Sequence, residues 1–236
     1  MSRRDELAER LSAVEERVVA ACREAGRDRA EVTVIAVTKT YPASDVELLG
    51  ELGVRDVAEN REQEAGAKAA ECARLGLCWH FVGQLQTNKA SAVARWADVV
   101  HSVDRERLVP ALQRGAEQAG RVLDCLLQVA LDEDAAAGAV AARGGAAPQE
   151  VERLAEAVDG SASLRLRGVM AVAPLGADAR AAFDRLAAVS ERLRVGRPGA
   201  SVISAGMSGD LEAAVLAGAT HLRVGSAILG KRPPLR

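Results

Sequence analysis

The sequence lacks the features that mark several large classes of protein. Lys and Arg together number 31 against 33 Asp and Glu, which gives a net charge of −2 without any block of like charge that could bind nucleic acid. No apolar stretch approaches the ~18 residues needed to cross a bilayer, and the first ten residues are charged, unlike a secretory signal. We therefore expect no nucleic-acid partner, no membrane partner and a cytoplasmic location.

Aromatic residues, cysteines and lysines are also scarce. Two tryptophans, two phenylalanines and one tyrosine leave the core to alanine, valine and leucine. The four cysteines show neither a CxxC pair nor histidines at ligand spacing, which predicts reduced packing thiols and neither a zinc site nor a disulfide framework. Only four of the 31 basic residues are lysines, so a lysine in an unusual position stands out. These are Lys39, Lys68, Lys89 and Lys231.

What is present is the pattern of a globular α/β protein, with 49% hydrophobic and 27% charged residues. Apolar residues at three- and four-residue spacing predict a helix over 3–25 that stops at Gly26. Apolar, β-branched runs then alternate with alanine-rich helical stretches. The eight strand candidates are 32–38, 55–58, 79–83, 98–103, 122–131, 164–172, 200–205 and 220–224.

These strands are apolar nearly throughout, as parallel strands covered by helices are. Eight strand and helix units in 236 residues predict a single-domain (β/α)8 TIM-type barrel over 32–230, preceded by an extra N-terminal helix within 1–26. A doubly wound open sheet is the alternative, because two of the strand candidates are short. The Ala/Gly-rich stretch 135–148 is interpreted as a loop and helix start within the domain.

Lys39 directly follows the strand VTVIAVT, and active sites of such barrels lie at the carboxyl ends of their strands. A partly desolvated lysine there favours the neutral amine, which attacks carbonyl carbons to form Schiff bases. The competing interpretation is a lysine that extends from a strand end into solvent.

Two glycine-containing turns near the C-terminus suit an anion. The segment SAGMSGD places Ser208 and Gly209 at the start of a helix, and Gly225 with Ser226 repeats the arrangement after the eighth strand. Backbone N–H groups converge at helix starts, and barrels often bind phosphate after strands 7 and 8. Ordinary helix caps are the alternative.

Other polar residues fall at strand ends or inside strands. Arg223 interrupts an apolar strand and should face the barrel mouth, where a ligand or a carboxylate can pair with it. Asn60 ends the second strand, and His80 lies in the third, where a core histidine is the more ordinary interpretation. Hydrolase and dehydrogenase functions lack a motif, since no Ser/His/Asp set, P-loop or GxGxxG fingerprint is evident.

The ordered segments AVTKTYP, AENREQE, WHFVGQLQTNK, HSVDR, GVMAVAP and SAGMSGDLEAAVLAGATHLRVGSAILGKR resemble the motif series of the YggS/PROSC family, the pyridoxal phosphate homeostasis proteins. The resemblance runs from about residue 32 to 232. It implies a barrel like that of alanine racemase that binds pyridoxal 5′-phosphate (PLP), the active form of vitamin B6, as an internal aldimine. The implied cofactor residues are Lys39 for the aldimine, Asn60 in the pocket, Ser204, Met207, Ser208, Gly225 and Ser226 around the phosphate, and Arg223 at the pyridine nitrogen.

The chain departs from the common family pattern at two places. An aromatic residue near the pocket is replaced by Arg61, and a polar QVN…SK stretch by QVALDEDAAAG over 128–138, with Ala130 and Ala137 among the changes. These departures affect contacts at the rim of the cofactor or a neighbouring surface.

Three functions are compatible with these residues. A PLP-binding protein for intracellular PLP homeostasis and delivery is favoured, with PLP-dependent apo-enzymes as candidate recipients and a monomer or weak dimer as the expected state. A racemase-like enzyme is the alternative, but its second base lacks an obvious source, since Tyr41 is the only tyrosine and the chain stops six residues after Gly230. A Schiff-base aldolase without PLP would leave the motif series unexplained.

Overall fold

The eight parallel strands close into a barrel. The computed structural model describes residues 1–132 and 144–230. Each strand pairs with the next, and β8 pairs with β1, so the predicted (β/α)8 barrel is confirmed and the open-sheet alternative is wrong. The strands are Thr33–Val37 (β1), Asp56–Glu59 (β2), Cys78–Phe81 (β3), Val99–Val103 (β4), Leu123–Gln128 (β5), Leu164–Met170 (β6), Val202–Ser204 (β7) and His221–Val224 (β8).

Helices cover the outside of the barrel. The described residues form nine: Arg3–Glu24 (α1), Ala43–Glu51 (α2), Glu62–Glu71 (α3), Thr87–Ala94 (α4), Val109–Gln118 (α5), Val151–Asp159 (α6), Ala179–Gly196 (α7), Leu211–Leu216 (α8) and Ser226–Leu229 (α9). The extra helix α1 begins with a capping box between Ser2 and Asp5. Among the helices of residues 1–132 and 144–230, none has the length and apolarity to cross a membrane.

The stretch predicted as a loop and helix start is described only in part. Residues 133–143, which include the family departure at Ala137, lie outside the described residues. The fifth strand is shorter than predicted and is followed by an isolated bridge between Val129 and Ala146. The four cysteines are free, as expected of packing thiols, and three of them are buried.

The barrel interior differs in character from the layer between strands and helices. Outward-facing residues such as Trp79, Val100 and Leu222 join the large apolar core under the helices. Because strand residues alternate between faces, their neighbours His80, His101 and Arg223 point into the barrel. Such interiors are ordinarily filled by branched apolar side chains. In this barrel the interior instead contains buried polar side chains, His80, His101 and Arg223 among them.

Candidate functional site

A cavity of about 430 Å³ opens at the carboxyl ends of the strands. It brings together six of the eight residues predicted from the sequence, while Asn60 and Ser204 are not in its wall. The lining residues are Val37, Lys39, Tyr41, Val82, Val172, Met207, Ser208, Gly209, Arg223, Gly225, Ser226 and Gly230. A lysine, an arginine and two small-residue turns therefore share one concave site, as a phosphorylated aldehyde would require.

The turn that carries Lys39 is conformationally fixed. Thr38 donates its N–H to Ala58 O at 2.9 Å and accepts from the N–H of Tyr41 at 3.1 Å. Thr40 has φ +71°, the one positive φ outside glycine among the described residues. A β-branched residue rarely adopts this conformation, so the backbone next to Lys39 is strained. Strain of this kind is common where a fold fixes a functional side chain.

A buried ion pair supports the same turn from below. Lys68 Nζ donates to Glu59 Oε1 at 2.5 Å and to Thr38 O at 3.1 Å, and Thr38 Oγ1 donates to Glu59 Oε1 at 2.7 Å. We call these three residues the β1–β2 clasp. The clasp was not predicted from the sequence, although a glutamate at the end of an apolar strand is a visible signal of it. Lys68 therefore has a structural role beside Lys39.

Lys89, the remaining described lysine, does not line this cavity. Lys89 pairs with Glu62 at 3.3 Å in a neighbouring cavity, and Lys231 lies outside the described residues. Among the described lysines, Lys39 is the one that lines the cavity.

The two turns predicted to bind an anion meet each other. Ser208 Oγ accepts the N–H of Ala227 at 3.1 Å, which joins the loop after β7 to α9. Asp210 Oδ1 accepts the N–H of Met207 at 2.6 Å and closes the loop on itself. Apart from Gly209 and its two chain neighbours, no described heavy atom lies within 4 Å of the position that a Cβ would take on Gly209. A ligand can therefore approach this backbone closely, as phosphate does at glycine-containing turns.

Arg223 is a buried cation that reaches the cavity. It is 5% exposed, and its guanidinium donates from Nη1 to Ser204 Oγ at 2.7 Å and from Nη2 to Ala171 O at 2.8 Å. Burial lowers the pKa of Arg223 to about 10, with the charge of Asp210 acting in the opposite direction. No carboxylate forms an ion pair with Arg223 among the residues that the structure describes. An uncharged acceptor in the cavity, such as a ring nitrogen, would complete its hydrogen bonding.

The remaining two predicted residues lie elsewhere. Ser204 is fully buried, with its hydroxyl between Arg223 and His101. Asn60 lines the neighbouring cavity of about 540 Å³, together with Arg61 and Lys89. A contact between the cofactor and either residue stays a prediction. Arg61 is exposed and lies 3.6 Å from Glu64, away from the Lys39 cavity.

The sequence matches the family described as alanine racemase, N-terminal domain, over residues 10–233. A protein of Mycobacterium tuberculosis named pyridoxal phosphate homeostasis protein is 44% identical over 98% of this chain and 94% of its own. The chain belongs to the family of pyridoxal phosphate homeostasis proteins.

Other members of this homeostasis family support the assignment. The Escherichia coli protein of the same name is 36% identical, with 97% of each chain covered. The structure of PipY from Synechococcus elongatus, which holds PLP, superposes with a TM-score of 0.80 at 33% identity and covers 95% of this chain and 100% of that one. The relationship therefore spans the described barrel as a whole.

Proposed function

We propose that this homeostasis-family protein binds PLP at the Lys39 cavity, holds it covalently through Lys39 and releases it to other proteins. The observation that carries the proposal is the convergence of Lys39, Arg223 and the two turns on one cavity. PipY, a relative of similar structure, holds PLP. The aldehyde, the phosphate and the ring nitrogen of PLP each have a suitable counterpart in the wall of this cavity.

The phosphate is assigned to the turn at Ser208–Gly209, which precedes α8, and to Gly225–Ser226, where α9 begins. Backbone N–H groups and hydroxyls at such turns bind anions. The pyridine nitrogen is assigned to Arg223. The amine of Lys39 condenses with the aldehyde of PLP, so that a carbon–nitrogen double bond forms and one water molecule leaves. PLP supplies this reactive aldehyde, and the strained turn at Thr40 presents the amine.

We infer that the protein stores and delivers PLP with little catalytic turnover. Arg223 can only donate a hydrogen bond to the ring nitrogen, so it leaves that nitrogen unprotonated and weakens the ring as an electron sink. Tyr41 lines the cavity, but its hydroxyl already donates to Gly230 O at 2.9 Å. We propose the cytoplasm as the location, PLP-dependent apo-enzymes as recipients and a monomer or weak dimer as the state.

A spectrum tests the proposal directly. Protein incubated with PLP and freed of excess should show a visible absorption band, and borohydride should remove the band and fix the cofactor on the peptide that contains Lys39. Absence of the band would overturn the proposal and favour a Schiff-base aldolase that works without PLP.

A further inference from the structure

A continuous line of hydrogen bonds crosses the barrel interior below the cavity. It begins at Arg223, whose Nη1 lies 2.7 Å from Ser204 Oγ, and continues from Ser204 Oγ to His101 Nδ1 at 3.0 Å. His101 Nε2 lies 2.8 Å from His80 Nδ1, and His80 Nε2 lies 3.0 Å from Asp56 Oδ1. Asp56 is the first residue of β2, so the line runs from the cavity toward the amino end of the barrel. We call these five residues the interior chain.

Burial makes the central histidine neutral. His101 is fully buried, and burial, together with the charge of the neighbouring Arg223, lowers the pKa of His101 well below its ordinary value. A neutral imidazole has one N–H and one lone pair, so it donates on one side and accepts on the other. The interior chain therefore has a direction.

The two ends of the interior chain decide that direction. Arg223 can only donate, and the carboxylate of Asp56 only accepts. If Ser204 accepts from Arg223 and donates its own proton to His101 Nδ1, then His101 donates from Nε2 to His80 Nδ1. His80 in turn donates from Nε2 to Asp56. In this arrangement each of the four hydrogen bonds from Arg223 to Asp56 has one donor and one acceptor, whereas the reverse leaves the Ser204 proton without an acceptor among its described contacts.

We propose that Asp56, His80, His101 and Ser204 form a one-way hydrogen-bond chain that positions the guanidinium of Arg223 toward the ring nitrogen of the bound cofactor. The part of this proposal that concerns the cofactor rests on the proposed function. The chain acts by fixing the Ser204 hydroxyl, whose proton is directed at His101 and whose lone pair then faces Arg223. The four residues are positioning residues, since none of them lines the cavity.

Ser204 thereby acquires a role other than the phosphate contact predicted from the sequence. Its hydroxyl is occupied on both sides by members of the interior chain. The two roles predict different responses to ligands that lack either the phosphate or the ring nitrogen. They are therefore separable by experiment.

The proton positions can be measured without any ligand. Long-range ¹H–¹⁵N spectra of the full-length wild-type protein should show His80 and His101 as neutral rings protonated at Nε2. Asp56→Ala, which removes the terminal acceptor, should shift the ring signals of both histidines, and Asp56→Asn, which keeps an acceptor, should shift them less. A His101 ring protonated at Nδ1 in the wild type would overturn the proposed direction.

The positioning role is tested by binding of three ligands to Ser204 variants. Ser204→Ala should weaken both PLP and pyridoxal by about tenfold or more, as expected for a lost hydrogen bond to a charged group. It should have little effect on a PLP analogue with carbon in place of the ring nitrogen. Ser204→Thr, which keeps the hydroxyl, should recover most of the affinity. Ser102→Ala is the matched control, because Ser102 is equally buried on β4 and its hydroxyl has no partner among the described residues.

Each outcome of the binding experiment decides a separate question. A loss seen with PLP but not with pyridoxal would make Ser204 a phosphate ligand and overturn the positioning role. Unchanged affinity for all three ligands in Ser204→Ala would overturn it as well. Failure of the wild type to bind any of them would overturn the proposed function, while the histidine spectra would still report on the chain itself.

Discussion

Lys39 is distinguished by its neighbours in the fold. Lys68 is committed to a buried carboxylate, and Lys89 pairs with Glu62 outside the cavity. Lys39 alone among the described lysines lines the cavity that also holds Arg223. Its position after a strand was readable from the sequence, but the strain at Thr40 was not, because a threonine gives no local signal for a positive φ.

Removing the Lys39 amine should abolish the covalent linkage. We expect Lys39→Ala to give colourless protein that borohydride does not label, even after incubation with excess PLP, because no other described lysine reaches the cavity. Absorbance and peptide mass spectrometry after borohydride treatment measure this. Lys89→Ala is the control and should colour like the wild type. If Lys39→Ala kept the visible band, PLP would be linked to another lysine and the assignment to Lys39 would be wrong.

The strain at Thr40 should be measurable as stability. A left-handed conformation costs a non-glycine residue roughly 1–2 kcal/mol, and the greater freedom of unfolded glycine offsets about 0.5–1 kcal/mol of that. Thr40→Gly should therefore raise the free energy of unfolding by up to about 1 kcal/mol, while PLP binds a few-fold more weakly to the less rigid turn. Thr40→Ala removes the threonine side chain but keeps the strained φ. It therefore separates the effect of relieving the strain from the effect of losing the side chain. Equal stability of the glycine and alanine variants in urea unfolding would contradict this explanation.

At the scale of elements, the β1–β2 clasp joins two strand ends and α3 beneath the Lys39 turn. Thr38 directly follows β1, Glu59 ends β2 and Lys68 comes from α3, and both charged side chains are buried. Helix α1 makes a comparable link on the other side of the cavity. Arg17 donates to Glu212 in α8 at 2.7 and 2.9 Å and to Ser208 O at 3.0 Å. The cavity is thus held between two cross-links that connect distant parts of the sequence.

Breaking the clasp on one side should be costly. Lys68→Met leaves Glu59 buried without its counter-charge, which typically costs about 3–5 kcal/mol of unfolding free energy. The double variant with Glu59→Leu removes both charges and should recover much of that loss. Denaturant unfolding measures both. Arg74→Ala, which removes an exposed ion pair with Glu47, serves as control and should change stability little. If the Lys68→Met, Glu59→Leu double variant had no higher free energy of unfolding than Lys68→Met alone, the unpaired charge of Glu59 would not explain the loss.

Removing the contacts of Arg17 should weaken only the part of PLP binding that depends on the phosphate. Arg17→Ala frees the loop at Ser208, so we expect PLP to bind several-fold more weakly and pyridoxal, which lacks the phosphate, to bind unchanged. Arg4→Ala is the matched control on the same helix, since Arg4 lies 3.9 Å from Glu51 of α2 and forms no ion pair with α8 or this loop among the described residues. Equal losses for both ligands in fluorescence titrations would show that α1 supports the barrel in general.

At the scale of the whole molecule, the barrel was predictable because its signals are local. Each strand is an apolar run such as 32–38, and each helix shows its own periodicity, so eight repeats define the architecture. The clasp and the interior chain depend on register between strands. The pairing of Asp56 with Cys78 places Asp56 beside His80, and no local pattern encodes that pairing. Residues that line the cavity at the carboxyl ends of the strands could therefore be predicted from the sequence. The contacts of the clasp and the interior chain could not.

The proposed contacts of Arg223 and Tyr41 bear on what the molecule would do with PLP. Racemisation needs an electron sink in the cofactor ring and a base on each face of the substrate's α-carbon. Arg223 cannot give a proton to the ring nitrogen, because even its lowered pKa of about 10 keeps the guanidinium charged at neutral pH. The Tyr41 hydroxyl is held by the Gly230 carbonyl. Under the proposed binding mode, Arg223 and Tyr41 therefore supply neither the protonated ring nor the second base.

We accordingly expect the PLP-loaded protein to exchange the α-proton of L-alanine with D₂O far more slowly than the ~1 s⁻¹ at the lower end of typical enzymes. Proton NMR of the amino acid measures the exchange, with Lys39→Ala and free PLP as controls for reactions that do not need the site. Tyr41→Phe should leave any residual rate unchanged, because the tyrosine proton is already committed. Exchange at enzyme-like rates that falls in Tyr41→Phe would identify Tyr41 as a working base and make the protein a racemase-like enzyme. Slow exchange with the visible band intact would instead leave binding and release of PLP as the activity that this cavity supports.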